Sequence, residues 1–459
     1  MPPNRRLKSK MQLLLFILLL SSNLHAQQSK SFNYYDSITY NLFIRNEWKE
    51  LIANGNDALK HNFDYYYLEV RMGIAYYNLQ NYRTSIAHFE KALSFNAGDP
   101  FTLSYLYYAY LGSGRANEAA KLASDHKSVI AAIPGSGKHF VQSFYTEGGL
   151  TSGVNGQQSA ARLMGNSGIY GEEETYGMQT YTHAGIQAQL LPSLHLYASG
   201  TMIGIDKQKH FAFTSLSSES QVIVTDSLFP FHFVQKELFF STSFLTGKGI
   251  TISPAFHYIK GDNTIVNASS IDNAYVFGKV SNPYSNYVVS LSLTKEFGNF
   301  TLGLNGSYAK LTSSGKQQQM GASVTWYPKG NLNIYSTAAI TGFRYGNDKR
   351  AITDFAAGGK IASRLWLEGT ITIGNLSFYN EKNAFVVYNL PEKILFRGGI
   401  NLICNLSQHI DLSLMYRYYL REYNYYNYGI NLQTGESTLL TNNMKYNNQS
   451  FFGGLKWRF

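Results

Sequence analysis

The stretch HIDLSLMYRYYL, residues 409–420, alternates with a period of two. In an extended chain, positions two apart share a face. Ile410, Leu412, Leu414, Tyr416 and Tyr418 therefore point one way, and Asp411, Ser413, Met415, Arg417 and Tyr419 the other. RLWLEGTITIG (364–374) repeats the pattern, with Leu365, Leu367, Ile371 and Ile373 set against Trp366, Glu368, Thr370 and Thr372. NYVVSLSLTKEFGNFTLGLNGSYAK (286–310) holds two such strands around a turn at Gly298. The last six residues, GLKWRF, form one more: Leu455, Trp457 and Phe459 are apolar on one face, and Lys456 and Arg458 are cationic on the other.

Working outward, the same period covers most of the chain from residue 138. About 14 strands of roughly 11 to 16 residues are expected, near 138–150, 176–189, 193–206, 231–246, 249–261, 284–297, 299–312, 315–328, 331–345, 350–363, 365–377, 392–406, 409–423 and 446–459. That length suits a tilted crossing of a bilayer better than a globular sheet. Short turns (LPS, TGK, GN, PKG, SQ) alternate mainly with longer stretches at 151–175, 207–230, 262–283, 378–391 and 424–445, as in outer-membrane barrels with short periplasmic turns and long external loops. A soluble β-sandwich also alternates, but strand length and the chain's two ends favour the barrel. An even strand count leaves residue 138 and the C-terminus on one side.

Composition agrees. Among 459 residues, 15% are aromatic, with 36 Tyr, and only 15% are charged. The mean hydropathy is −0.21, and beyond residue 20 no apolar run approaches the roughly 18 residues of a membrane helix. At the start, Arg5, Arg6, Lys8 and Lys10 precede MQLLLFILLL and then NLHAQQ, which reads as a secretory signal over residues 1–26 cleaved between Ala26 and Gln27. The residues after the Arg5–Arg6 pair do not fit a twin-arginine signal. Cys404 is the single cysteine, so no intramolecular disulfide forms. The net charge of +10 loses four positive charges with the signal and forms no contiguous basic stripe, so nucleic acid is not an expected partner.

Residues 32–130 change period. YYYLEVRMGIAYYNLQNYRTSIAHFEKALSFNAGDP (65–100) places apolar residues three and four apart, broken near NLQNY and NAGDP: a helix, a turn and a helix. Stepping 34 residues takes Tyr76 to Tyr110, Ser85 to Ala119 and Phe89 to Ala123, and puts Gly114 in a turn. This resembles tetratricopeptide repeats, most specifically at Gly73, Tyr76, Tyr82, Phe89, Ala92 and Leu93, with about three units including an imperfect one upstream at EWKELIANGNDALK (47–60). Tyr67, Ile74, Tyr77, Phe101 and Tyr108 are expected to line a groove that binds a periplasmic protein, or alternatively to pack against neighbouring helices.

The expected fold is thus a mixed multidomain chain. It has a signal peptide (1–26), an α-helical TPR-like array (32–130) and a linker (131–137), then an antiparallel transmembrane β-barrel of about 14 strands (138–459). The ending resembles the barrel-assembly signal of outer-membrane proteins at Gly454, Trp457 and Phe459, which implies recognition by the barrel-assembly machinery and closure of the last strand on the first. The order of parts resembles the tetratricopeptide-barrel exporters of cellulose and poly-N-acetylglucosamine, whose arrays are longer, and the smaller YaiO-type outer-membrane proteins. The resemblance implies location in the bacterial outer membrane, with residues 27–137 in the periplasm.

Few residues carry chemistry. IPGSGKHF (133–140) lacks the first Gly and the final Ser or Thr of a phosphate loop, and neither zinc spacings nor a GxSxG elbow occur. No cofactor, metal or catalytic residue is expected. Glu237, Glu296, Asp354, Lys360, Glu368, Arg397, Arg417, Lys456 and Arg458 face the lumen by register. Arg397 and Arg417 fall side by side at similar depth, where like charges need an anion nearby. Asp354 within an internal salt-bridge network supplies one, or else a passing anionic solute. REYNYYNYG (421–429) reads as an interfacial girdle or a platform for sugar rings. A channel or export component is the leading expectation. A non-conducting anchor for an envelope complex comes next, and an enzyme acting on lipid or glycan third.

Overall fold

Period-two alternation produces strands throughout the C-terminal two thirds. The computed structural model describes residues 31–130, 139–153, 163, 170–216, 222–271, 274–311, 315–389, 392–430 and 437–459. The expected signal peptide with its Ala26–Gln27 cleavage site, and the 131–137 linker, lie outside the described residues. Strands are β1 (Val141–Thr151), β2 (Tyr170–Leu191), β3 (Leu194–Leu216), β4 (Val222–Gly247), β5 (Ile250–Asp262), β6 (Ile265–Ile271), β7 (Ala274–Val280), β8 (Pro283–Phe297) and β9 (Phe300–Leu311). They continue with β10 (Gly315–Trp326), β11 (Ile334–Tyr345), β12 (Asp348–Ala362), β13 (Leu365–Ile373), β14 (Asn380–Glu381), β15 (Val386–Val387), β16 (Lys393–Asn405), β17 (Ile410–Ile430) and β18 (Ser437–Arg458).

Fourteen of these close an antiparallel barrel, in the order β1-β18-β17-β16-β13-β12-β11-β10-β9-β8-β5-β4-β3-β2. Closure is made by the last strand on the first, from Ser143 opposite Arg458 to Thr151 opposite Ser450. No sheet edge is left along that seam, so its backbone donors and acceptors are paired. The alternation sorts as expected: Tyr287, Val289, Leu291 and Leu293 on β8 are exposed on the outside, while Val288 and Ser290 are buried inside. Trp457 and Phe459 face outward, and Gly454 faces inward, where a side chain would collide with the Tyr145 hydroxyl and Ser413.

Three of the expected external loops are largely strand. The 207–230 and 424–445 stretches are largely continuations of β3, β4, β17 and β18, and 262–283 holds the β6–β7 hairpin. Above the barrel wall, β2 pairs directly with β17, with Glu172 opposite Tyr426 and Tyr170 opposite Tyr428, although β1 and β18 separate these strands lower down. The extensions therefore fold toward each other over that end.

The preceding helices span Phe32–Ile44, Trp48–Lys60, Tyr66–Asn78, Tyr82–Phe95, Pro100–Gly112, Ala116–Asp125 and Lys127–Ile130. Pairs start at 32, 66 and 100 and their second helices at 48, 82 and 116, a constant step of 34 residues. Asn46, Gln80 and Gly114 recur at the same step in the left-handed region, φ 57°, 58° and 81°, and reverse the chain inside each pair. Ser31, Asn81 and Asp99 cap their helices by accepting from Tyr34, Thr84 and Thr102 backbone N–H groups, and Pro100 takes the first helical position, where its missing N–H costs nothing. Phe89, fully buried, lies against Gly73, where a Cβ would sit 2.5 Å from the ring. Only glycine admits that approach.

Candidate functional site

The connection from β13 to β16, expected as an external loop over 378–391, instead enters the barrel. Gly374, at φ 129°, turns the chain inward, and Leu376 N–H bonds to Ile394 O at 2.9 Å. The β14–β15 hairpin then projects across the lumen with Lys382, Asn383 and Ala384 at its tip, all at positive φ. Left-handed backbone costs non-glycine residues on the order of 1 kcal/mol each, and wall contacts hold it here. His257 Nδ1 lies 2.7 Å from Ala384 O, Ser290 donates to Asn383 O at 2.9 Å, and Asn383 Nδ2 donates to Ser253 O at 2.9 Å. Asn380 exchanges bonds with Gln319, at 2.7 and 2.9 Å. Phe385 packs on the rings of His183, Tyr197 and Phe239. The hairpin thus reaches from the β13–β16 side of the wall to β3–β5 opposite, and its Ala384, Val387, Leu376 and Tyr379 join apolar clusters inside the barrel.

Two ion pairs moor this loop. Arg397 on β16 grips Glu381 with both terminal nitrogens, one bond at 3.0 Å, and donates to Tyr388 Oη at 2.8 Å. Arg421 on β17 bonds Glu392 at 2.8 Å and Asn448 at 3.0 Å, and Tyr446 donates to the same carboxylate. Each guanidinium is buried beside a carboxylate, so removing either partner strands a charge. Asp354, the expected counter-charge, stands 3.8 Å from Arg397 and is bonded by Thr372 and Tyr379. The internal network exists, but its main acid is Glu381. That residue escapes sequence reasoning because loop positions carry no periodicity.

Arg417 differs. It lies opposite Gly399 in the β16–β17 register, and its side chain occupies the space a Cβ there would need. It is 8% exposed, donates to Thr370 Oγ1 at 3.4 Å, and forms no ion pair among the described residues. Most other inward charges have a partner: Glu237 with His257 at 3.3 Å, Glu368 with Tyr335, Arg458 with Asp411, and Lys360 over the Trp366 ring, whereas Lys456, like Arg417, forms no ion pair among the described residues. Glu296 sits at the helical end rather than in mid-lumen.

Two chambers flank the loop. One, of about 430 Å³, lies beneath the strand extensions and has mixed walls, with Glu174, Lys207, Asn263, Glu422 and Tyr426 among them. The other, of about 330 Å³, lies deeper, between the hairpin and the β1, β2, β17 and β18 wall. It is mainly apolar, with Tyr181, Ile205, Phe385, Val387, Met415 and Phe452 around Arg417. Phe233, Asn389 and Glu392 border both and form the neck between them. Among the described residues no three His, Cys, Asp or Glu side chains are grouped to hold a metal.

At the other end, the helices seat on the barrel turns through Arg83. Its side chain is buried, pairs with Glu296 at 2.5 Å, and stacks 3.8 Å over the Tyr327 ring, while its backbone N–H bonds to Gly330 O at 3.0 Å. Asn331 adds a bond to Gln80 O at 2.8 Å. The expected groove is divided. Tyr67, Phe101 and Tyr108 are exposed at 62%, 51% and 40%. Ile74 is a correction: it is buried in the core with Ile86, Phe89 and Leu106, because the middle helix pair is covered on both sides. Tyr77 is half-buried against Tyr82 and Tyr105, and burial pushes its phenol pKa up.

No protein-family model matches the chain, and no curated protein matches it. Among solved structures, the Pseudomonas putida toluene transporter TodX is similar at 8% identity and a TM-score of 0.42, over 72% of this chain and 92% of that one. A Pseudomonas aeruginosa FadL homologue matches at 10% identity and TM-score 0.37, over 76% and 97%. The translocator domain of the autotransporter NalP from Neisseria meningitidis matches at 11% and 0.29, over 76% and 100%. Likenesses of this size say nothing of solute or mechanism, which must come from the chain's own side chains.

Proposed function

We propose that the chain is a bacterial outer-membrane barrel, without enzymatic activity, that passes a solute through a lumen restricted by the 374–389 segment. The observation that carries this is the pairing of an apolar exterior with a polar, loop-crossed interior in one closed barrel. Leu238, Leu291 and Phe451 stand 51%, 52% and 60% exposed on the outside, an arrangement that water penalises and lipid accepts. A 12-residue strand such as β9 is roughly 40 Å long, enough to cross the hydrocarbon core at a tilt. In this reading residues 27–137 lie in the periplasm. The helical array, TPR-like in its 34-residue step, presents Tyr67, Phe101 and Tyr108 to a protein partner.

Single-channel recording in planar bilayers tests the proposal. Replacing residues 378–389 by a short Gly-Ser turn should leave the barrel folded and raise conductance several-fold over the full chain. The firmly seated loop also favours a second reading, a non-conducting anchor for the array. Silent bilayers from both forms would select it. Loss of a co-purifying protein on changing Tyr67, Phe101 and Tyr108 to Ala would support docking.

A further inference from the structure

The deeper chamber combines two features that polar channels do not need together. Aromatic and aliphatic side chains make up much of its wall beside paired charges, and into it projects Arg417, a guanidinium that forms no ion pair among the described residues. A guanidinium offers five donors, yet Arg417 makes one long bond, to Thr370. Among the described residues no acid around the chamber pairs with Arg417: Glu381 is held by Arg397 and Glu392 by Arg421, while Glu147 accepts from the Tyr145 hydroxyl and keeps its charge. Donors that the chain leaves unbonded at the edge of a chamber are free for the acceptor atoms of a ligand.

We propose that this chamber is a binding site for small amphipathic anions, compounds with an apolar ring or short chain and one carboxylate-like head. The head bonds Arg417. The apolar body lies along Met415 and Phe452 on the wall side, with Phe385 and Val387 of the hairpin opposite. Met415 precedes Arg417 by two residues on the same face of β17, so head and body contacts share one strand. Gly399 makes the site possible, since any side chain there would displace the guanidinium. A volume of about 330 Å³ falls at the small end of ligand sites, roughly 300–1,000 Å³. Entry passes the neck at Phe233, Asn389 and Glu392, from a vestibule in which Lys207 and Lys209 are paired with Glu174 and Glu172.

This deepens the channel reading by naming its solute class, but its test measures binding rather than conduction. A barrel silent in bilayers would still bind if the chamber is as inferred. Full-length protein in lipid nanodiscs is titrated calorimetrically with 4-phenylbutyrate, 4-phenylbutan-1-ol and 4-phenylbutylamine, with empty nanodiscs as reference. The acid should bind saturably, at least tenfold tighter than the alcohol or amine. Arg417→Gln should abolish that preference, and Arg417→Lys should keep part of it, because a point charge cannot supply the planar fork. Phe452→Ala should weaken acid and alcohol alike. Heat-modifiable gel migration confirms that each variant barrel is folded. Equal binding of the three compounds, unchanged acid binding by Arg417→Gln, or no saturable binding above empty nanodiscs overturns the proposal.

Discussion

Glu381 decides more than any other single residue, because it ties the lumenal hairpin to Arg397. Substituting Gln at 381 removes the nearer of Arg397's two carboxylates and leaves only Asp354 at 3.8 Å, which costs up to about 3–5 kcal/mol. The outcome expected is a barrel that still migrates as folded but whose hairpin leaves the wall. Single-channel recordings should show a larger conductance, and an amine reagent should label Lys382 faster. Adding Arg397→Gln should return part of the seating, since two neutral groups need no mutual compensation. Arg397 and Arg417 are legible in the sequence, because strand alternation alone turns both inward. Their different fates are not: one is gripped by Glu381 from a distant loop, the other bonds only Thr370 among the described residues. Ile74 makes the same point in the helices, where its spacing suits a groove or a core equally and the neighbouring helix pairs decide.

Among elements, strands and helices follow the sequence closely and connections do not. All fourteen expected strands form, since each carries a period-two signal strong enough to stand alone. The extensions of β3, β4, β17 and β18 look like loops in the sequence because their apolar residues, buried Phe211 and Phe213 and exposed Val224, Leu228 and Leu439 among them, are mixed with polar ones and mark no single face throughout. The seat of the helical array on the barrel is equally invisible there, because Arg83 and Glu296 are 213 positions apart and each looks like an ordinary surface charge. Arg83→Ala removes a buried ion pair and a cation–π contact together. Hydrogen exchange should quicken at residues 296–301 and 327–333, with the helical pairs keeping their own protection. Unchanged exchange at those turns would show that the array is held elsewhere.

At the scale of the whole molecule, the barrel exists only because β18 returns to β1. Deleting Gly454–Phe459 removes the partners of Ser143–Glu147 and opens two edges of unpaired backbone. The truncated chain should give no heat-modifiable, protease-resistant band. A folded band from it would place closure in the upper half of the seam. The sequence by itself determined the two regions, the fourteen strands, the 34-residue helical step and the face that meets an apolar solvent. These rest on local periodicity, and each strand or helix writes its own buried side into its own residues. Only the tertiary structure decided that the lumen is crossed by 374–389, that Glu381 neutralises Arg397, that Arg417 faces a largely apolar chamber without an ion pair and that Arg83 locks the helices to the turns. Those are pairings between residues far apart in the chain, whose energy appears once closure brings opposite walls within reach and excludes water from between them.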